Sequence, residues 1–599
     1  MIYFFKLHTK KNKFILFYSI PIFLFTLILI LNFAGPLEVF SSQPDSKTII
    51  ASGVVPHHLL AKPMIDNFFQ YISSFGKVKN LILLSPDHFQ SALINHDRSL
   101  ITLDRKTNEN GFCELPSNIL LLDKLLENNL VTCNSSAIYY DHGIMNLLPF
   151  IEKYLTEANI LPILIPEDIS REQIEQLVRT IDKNTSSSTV MVASVDFSHY
   201  LPGNAAAFHD TKSIRTLLNF EKDSFKNSEV DCWQALYAIR FFTKLRDCET
   251  PCMIEHNYAD DFLDFDTEKT TSYFSLVYKN KKSQGINTHS VVPEHARDVK
   301  TLLFTGDIML DRGVKELMQV NSLYYPFLNI HQFLRGVDIV SGNLEGPIVN
   351  EPPYFSRQSL RFAFGFDALE TLSSAGFNLL SLANNHTLDM GINGFNETIE
   401  HLDEYHIHST GNPFNLKSSE HGNCFIFDDI IFAAFNRILP FKKKDTEILK
   451  TIKHLQTSHP EKLITISMHW GNEYRENCSR AQKQLAHRMI DAGADLIIGH
   501  HPHVVQNIES YRDKLIFYSL GNFVFDQSFS SETQEGLAVG LEVYPEQLIF
   551  RLFPIKIDLC QPALMNHLDA QKFLSKLAKR SDVQLVDDIE SGIMVIKRR

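Results

Sequence analysis

The chain has 599 residues, 44% of them hydrophobic and 21% charged, and a formal net charge of −13. That length exceeds one ordinary domain and allows several buried cores, and the apolar content excludes a disordered chain. The acidic balance offers no basic field for phosphate backbones, so nucleic acid is excluded as a partner.

The first predicted element is an apolar run from Phe14 to about Ala34, preceded by Lys6, Lys10, Lys11 and Lys13. About 20 uncharged apolar residues suffice to cross a bilayer. The run lacks the polar face of a buried core helix, and Asn32-Phe33-Ala34-Gly35-Pro36 is a poor signal-peptidase site. The expectation is therefore an uncleaved single-pass transmembrane helix in the cytoplasmic membrane. The lysines place its N-terminus inside and everything from about Ser41 outside.

Strands are predicted next at Thr48 to Val55, Leu81 to Ser85, Thr189 to Ser194 and Ser272 to Tyr278, separated by helical segments. A polar stretch from Lys279 to Lys300 reads as an interdomain linker. A second series of short apolar runs follows: Thr301 to Thr305, Val337 to Ser341, Phe377 to Leu382, Leu463 to Met468 and Asp495 to Ile498. Unbroken runs of this kind suit strands buried on both faces. Ser479 to Ala492 carries one apolar stripe (Ala481, Leu485, Met489, Ala492) with Ser479 as N-cap. Gly536 to Val543 and Leu548 to Ile557 flank Pro545-Glu546 as a hairpin. The chain thus divides into residues 1–47 (cytoplasmic tip, anchor and stalk), 48–280 and 301–560 as two α/β domains, 281–300 as linker and 561–599 as a C-terminal extension. Its eight cysteines include no CxxC pair. Outside the cell, Cys248 with Cys252 or Cys113 with Cys133 would be candidates for oxidation.

In the second series a polar motif follows each apolar run: Gly306-Asp307-Ile308-Met309, Asn343-Leu344-Glu345-Gly346, Ala383-Asn384-Asn385-His386, His469-Trp470-Gly471 and Gly499-His500-His501-Pro502-His503. Parallel strands deliver the loops after them to one sheet edge, which is how lone pairs converge on a metal. One such Asp or His is usually a cap or a satisfied loop polar; five at successive strand ends point to a site. The candidate ligands are Asp307, Glu345, Asn385, His386, His469, His501 and His503, a set suited to two hard or borderline divalent ions (Mn, Zn, Mg or Fe) and to phosphoester hydrolysis. Pro502 biases His501 toward extended geometry, which would put His501 and His503 on one side and turn His500 away. His487 is expected on a solvated helix face.

These motifs, with Ser519-Leu520-Gly521-Asn522-Phe523-Val524-Phe525, resemble the CapA family of capsule and poly-γ-glutamate synthesis, which is similar to the calcineurin-like metallophosphoesterase α/β sandwich. The resemblance implies metal-assisted attack of water on phosphorus, with His469, His386 and Asn385 as catalytic residues and an imidazole aiding the leaving group. The implied substrate is an envelope polymer or a phosphorylated small-molecule or lipid-linked intermediate. Two departures stand out. Met309 occupies the place of a histidine, and Asn343-Leu344-Glu345 replaces Gly-Asp-x-x-Asp, so one metal position is in question and a non-hydrolytic assembly or export role stays open.

The first half repeats the pattern with His57 in Pro56-His57-His58, His88 in Ser85-Pro86-Asp87-His88, and Asp196 and His199 in Ser194-Val195-Asp196-Phe197-Ser198-His199. Three imidazoles and a carboxylate at strand ends can hold one transition metal with an open position. With Asp141-His142-Gly143-Ile144-Met145 and Thr271-Ser272-Tyr273-Phe274, the set resembles the Memo-like family, including protein B of the AmmeMemoRadiSam system, similar in fold to extradiol dioxygenases. The resemblance implies a pocket lined by His57, His88, Asp196 and His199, with His142 beside it and Cys232 as its cysteine. It also leaves open a redox or dioxygenase-type activity.

Overall fold

The computed structural model describes residues 48–90, 99–103, 118–265, 267–280, 294–356, 358–412, 424–438 and 444–598. Cys113 and most of the expected linker lie outside them. So does the run from Phe14 to Ala34, and the expectation of a transmembrane helix, a single-pass topology and a membrane partner is corrected. No helix among the described residues is long and apolar enough to cross a membrane. The longest, Gly203–Leu218, has 16 residues against the roughly 20 that a bilayer requires.

The first half is one mixed sheet. Strands Ile50–Val55, Asn80–Pro86, Asn159–Ile165 and Thr189–Ser194 run parallel at its centre, and Thr270–Lys279 closes antiparallel onto the first of them. Helix Lys62–Ser73 covers one face, packing Ile65, Phe68 and Phe69 against Leu81 and Leu83. Helices Arg171–Lys183 and Trp233–Leu245 cover the other. Coverage on both faces explains why the strand sequences are apolar without alternation.

The second half is a sandwich of two sheets. One contains Lys300–Ile308, Ile339–Leu344 and Leu379–Ser381 in parallel, extended by the antiparallel pair Glu535–Val543 and Gln547–Asp558. The other contains Ile430–Asn436, Leu463–His469 and Leu496–His500 in parallel. Phe304, Leu541, Phe432, Leu463 and Ile498 fill the space between the sheets. Helix Arg480–Ala492 lies outside the second sheet, started by a reciprocal Ser479–Gln482 capping box and stopped by Gly493 at φ 118°. Residues after 560 are built into the same unit, since Ile593–Lys597 pairs with Gln547–Asp558.

Helix Gly203–Leu218 joins the halves. Its Phe208 packs 5.7 Å from Phe553, and Leu201, Ala205 and Phe208 belong to the same apolar cluster as Leu303, Phe333 and Phe553. Arg215 donates to both oxygens of Asp338 at 2.7 and 2.5 Å, and Lys212 donates to the Val337 carbonyl at 2.6 Å. Cys248 and Cys252 are free thiols.

Candidate metal centres

In the second half the C-terminal edges of both sheets meet. Asp307 is in register with Asn343 on the neighbouring strand, and His469 with His500 on the other sheet. The approach is close at Gly306, where a Cβ would lie 2.1 Å from the Gly521 carbonyl oxygen. Only glycine permits this contact, which brings the 521–524 segment beside Asp307.

Asp307, Glu345 and His469 form a donor group whose atoms all lie within 4.8 Å of one another, and all three side chains are buried. Glu473, His501 and His503 form a second group by the same measure, with Glu473 exposed. The groups adjoin. His503 Nδ1 is 3.5 Å from Asp307 Oδ2, His503 Nε2 is 4.0 Å from Glu345 Oε2, and the His469 and His501 rings are 4.8 Å apart. One group is closed and the other faces solvent.

The electrostatics are those of crowded, dehydrated charge. Burial, reinforced by Asp307, raises the Glu345 carboxyl well above its ordinary range. Burial acts the same way on Asp307, but the hydrogen bond and charge of His500, with His503 and Asn343, outweigh it and hold that carboxyl low. Burial and the neighbouring imidazoles depress His469, and His501 is pushed down to about 3, so both rings are neutral at pH 7 with lone pairs available. Glu345 Oε2 is buried without a hydrogen-bond partner. Oxygen and imidazole donors, no thiolate and one orphaned carboxylate oxygen fit a hard or borderline divalent ion.

Several expected residues act on the donors rather than among them. Asn385 Oδ1 accepts from His469 Nε2 at 2.7 Å, which sets the tautomer and leaves Nδ1 for the donor group. His386 lies outside both groups; its Nδ1 is 3.0 Å from Asp389 Oδ2 and its ring packs on Phe362. His500 Nδ1 is 3.3 Å from Asp307 Oδ1. His501 and His503 do both reach the site, but not through extended backbone. Their φ angles of 94° and 57° are left-handed, so a tight turn aims them. His487 is half-buried, held 2.8 Å from Glu509 and stacked on Tyr511, rather than solvated. Met309 is buried, its sulfur accepting from the Asp311 N–H, and adds no donor to the site.

Sequence reasoning missed Glu473 and Asn343. Asn343 Nδ2 lies 2.9 Å from Asp307 Oδ1, 3.2 Å from Glu345 Oε1 and 3.2 Å from His469 Nδ1, central to the closed group. Its place two residues before Glu345 at a strand end was the available signal.

In the first half His57, His88 and His142 form a donor group within 4.8 Å. Asp141 orients His88, accepting from its backbone N–H at 3.2 Å and bonding Nδ1 at 3.0 Å. His57 is pushed down to about 3 by burial and by His88 and His142. His142 thus joins the set directly. Asp196 lies against His57, 3.4 Å from Nε2, whereas His199 is outside the trio. Ser198 and Tyr200, flanking His199, have φ of 39° and 54°, local strain of the kind kept at functional sites. Cys232 is buried, with Sγ toward Gln234.

Residues 301–527 match the family model described as bacterial capsule synthesis protein PGA_cap, and residues 37–233 match that of Memo-like proteins. The capsule biosynthesis protein CapA of Bacillus anthracis is 33% identical over 273 residues, 42% of this chain and 66% of the relative, just under two thirds of its length. The PGA biosynthesis protein CapA of Bacillus subtilis is 30% identical over 309 residues, 49% of this chain and 81% of the relative. A MEMO1 family protein of Sulfurisphaera tokodaii is 24% identical over 194 residues, 31% of this chain and 67% of the relative.

Proposed function

Since the chain belongs to the CapA family of capsule-synthesis proteins and carries a Memo-like domain ahead of its CapA-type half, we propose that it serves capsule or poly-γ-glutamate-type polymer synthesis through a metal-dependent phosphoesterase-like centre. The observation that carries this reading is the closed group Asp307, Glu345 and His469 with its orphaned carboxylate oxygen. These three residues would hold one divalent ion, and Glu473, His501 and His503 a second at the open side. Bound ions would supply Lewis acidity, offsetting charge that develops on a phosphoryl group. Asn385 fixes the His469 tautomer. Asp389 holds His386 through Nδ1, leaving Nε2 to pass a proton to a leaving oxygen. The substrate class is a phosphorylated or lipid-linked precursor of the polymer.

The test is hydrolysis of phosphomonoesters and phosphodiesters under Mn, Zn and Mg. Loss of about 100-fold or more is expected for His469→Ala and for Glu345→Ala, on the scale of removing one preorganised charge-stabilising group. Hydrolysis indifferent to both substitutions overturns the reading. A second reading, a non-hydrolytic polymer-assembly factor, is favoured by one observation: the Asn343 amide nitrogen stands within 2.9 to 3.2 Å of Asp307 Oδ1, Glu345 Oε1 and His469 Nδ1, and its two N–H groups supply part of what a cation would.

A further inference from the structure

The imidazole cluster of the first half faces two carboxylates and no thiolate. His57 Nε2 lies 3.4 Å from Asp196 Oδ2 and 3.7 Å from Asp231 Oδ2. The same ring stands 4.7 Å from that of His88 and 5.2 Å from that of His142. Asp231 Oδ2 accepts from the Asp196 backbone N–H at 3.0 Å, which holds it toward the cluster, and its Oδ1 is buried without a partner. The adjacent Cys232 begins helix Trp233–Leu245. Its Sγ lies 3.8 Å from Gln234 Oε1 and its side chain packs with the apolar cluster around Ala235, Leu236 and Phe274.

Two carboxylates aimed at one imidazole nitrogen repel each other unless a cation or proton lies between them, and an unpartnered buried oxygen has lost its water without gaining a replacement. One divalent ion relieves both. Its nature follows from the donors: imidazole with carboxylate suits Fe(II), Mn(II) or Zn(II), whereas Cu(I) seeks thiolate or thioether.

We propose, resting on the reading of the first half as a metal centre, that Asp231 is a ligand of that centre alongside His57, His88, His142 and Asp196, and that the centre takes a divalent ion suited to carboxylate and imidazole donors rather than a thiolate-seeking one. The strained backbone at Ser198 and Tyr200 fits this geometry, because Asp231 is tied to the same segment through Asp196.

The experiment loads the full chain with Co(II) and reads metal content by mass spectrometry and the near-ultraviolet spectrum. The wild type shows no sulfur-to-cobalt charge-transfer band, and Cys232→Ser changes neither readout. Asp231→Asn weakens or removes the first-half ion by at least tenfold in affinity, and Asp231→Glu restores part of it. His57→Ala serves as the reference, removing that ion and leaving the second-half ions in place. Loss of metal in His57→Ala with full retention in Asp231→Asn overturns this proposal alone. Retention in both overturns the first-half metal centre itself. A charge-transfer band in the wild type that vanishes in Cys232→Ser overturns the proposal without relying on any Asp231 variant folding.

Discussion

Asn343 decides between the two readings of the second half. Its amide nitrogen stands among two carboxylates and an imidazole, so hydrogen bonds already supply part of what a cation would. Asn343→Asp removes that donor and adds a third carboxylate to a closed, dehydrated group. Metal affinity should then rise by about tenfold or more, consistent with one additional favourable charge contact at roughly 1.4 kcal/mol. Titration of the apo protein with Mn(II) or Zn(II) checks this, and unchanged affinity would mean that the closed group is not a metal position. The neighbouring Asp389→Asn substitution should act differently. It loosens the His386 ring without touching a donor group, so hydrolysis falls about tenfold to a hundredfold while metal content stays constant. Asp307, Glu345 and His469 were legible because strand ends in a parallel sheet converge whatever the loops do. Glu473 was not, because it lies beyond Gly471 in a loop that turns through φ values of 95° at Gly471 and 61° at Tyr474, a path with no periodic signature. His501 and His503 illustrate the same limit: their types were informative, but the left-handed turn that aims them was not deducible from Pro502.

At the scale of elements, the strands and the 480–492 helix stood out because each combines an apolar run with a terminal signal, such as Ser479 reciprocated by Gln482. Helix Gly203–Leu218 did not, because it is buried on almost every side between the halves, with Lys212 and Arg215 among its buried residues. Those two charges answer to Asp338, whose carboxyl is held down to about 2: burial alone would raise it, but Lys212 and Arg215 outweigh burial. Removing one member of a buried, hydrogen-bonded ion pair leaves a charge without a partner and typically costs about 3–5 kcal/mol. Asp338→Asn should therefore lower stability by that order, since it strands the Arg215 guanidinium and the Lys212 ammonium together. Denaturant unfolding monitored at equilibrium measures it. A loss under about 1 kcal/mol would show that water replaces the carboxylate and that the helix docks mainly through Phe208 and its apolar neighbours.

For the whole molecule, the consequence of that docking is that the two halves share one apolar cluster, and their ionisable groups report on a single folded state. Burial leads the depression of His57 and His501 to about 3 and of His209 to about 4, from an ordinary 6.5. His209 lies in the docking helix, with Nε2 donating to the Phe333 carbonyl at 3.0 Å, so one of the three sits in the joint itself. Between pH 6.5 and about 4 the unfolded chain takes up protons at these positions and the folded chain does not, so stability falls as pH drops through that window. Glu229, raised to about 7 by burial, works the other way, losing stability as pH rises from 4.5 to 7. His57, His209, His469 and His501 together outweigh the raised Glu229 and Glu345, leaving a net slope in which apo-protein stability increases from about pH 4.5 to 6.5. Calorimetry of the metal-free chain should show this as a rising melting temperature, with both halves unfolding in one transition because the Gly203–Leu218 helix cannot leave one half without opening the other. Two separate transitions would mean that the shared cluster does not couple the halves. A flat or falling melting temperature over the window would mean that these imidazoles are protonated in the folded state, which would also deprive both candidate metal centres of their donors.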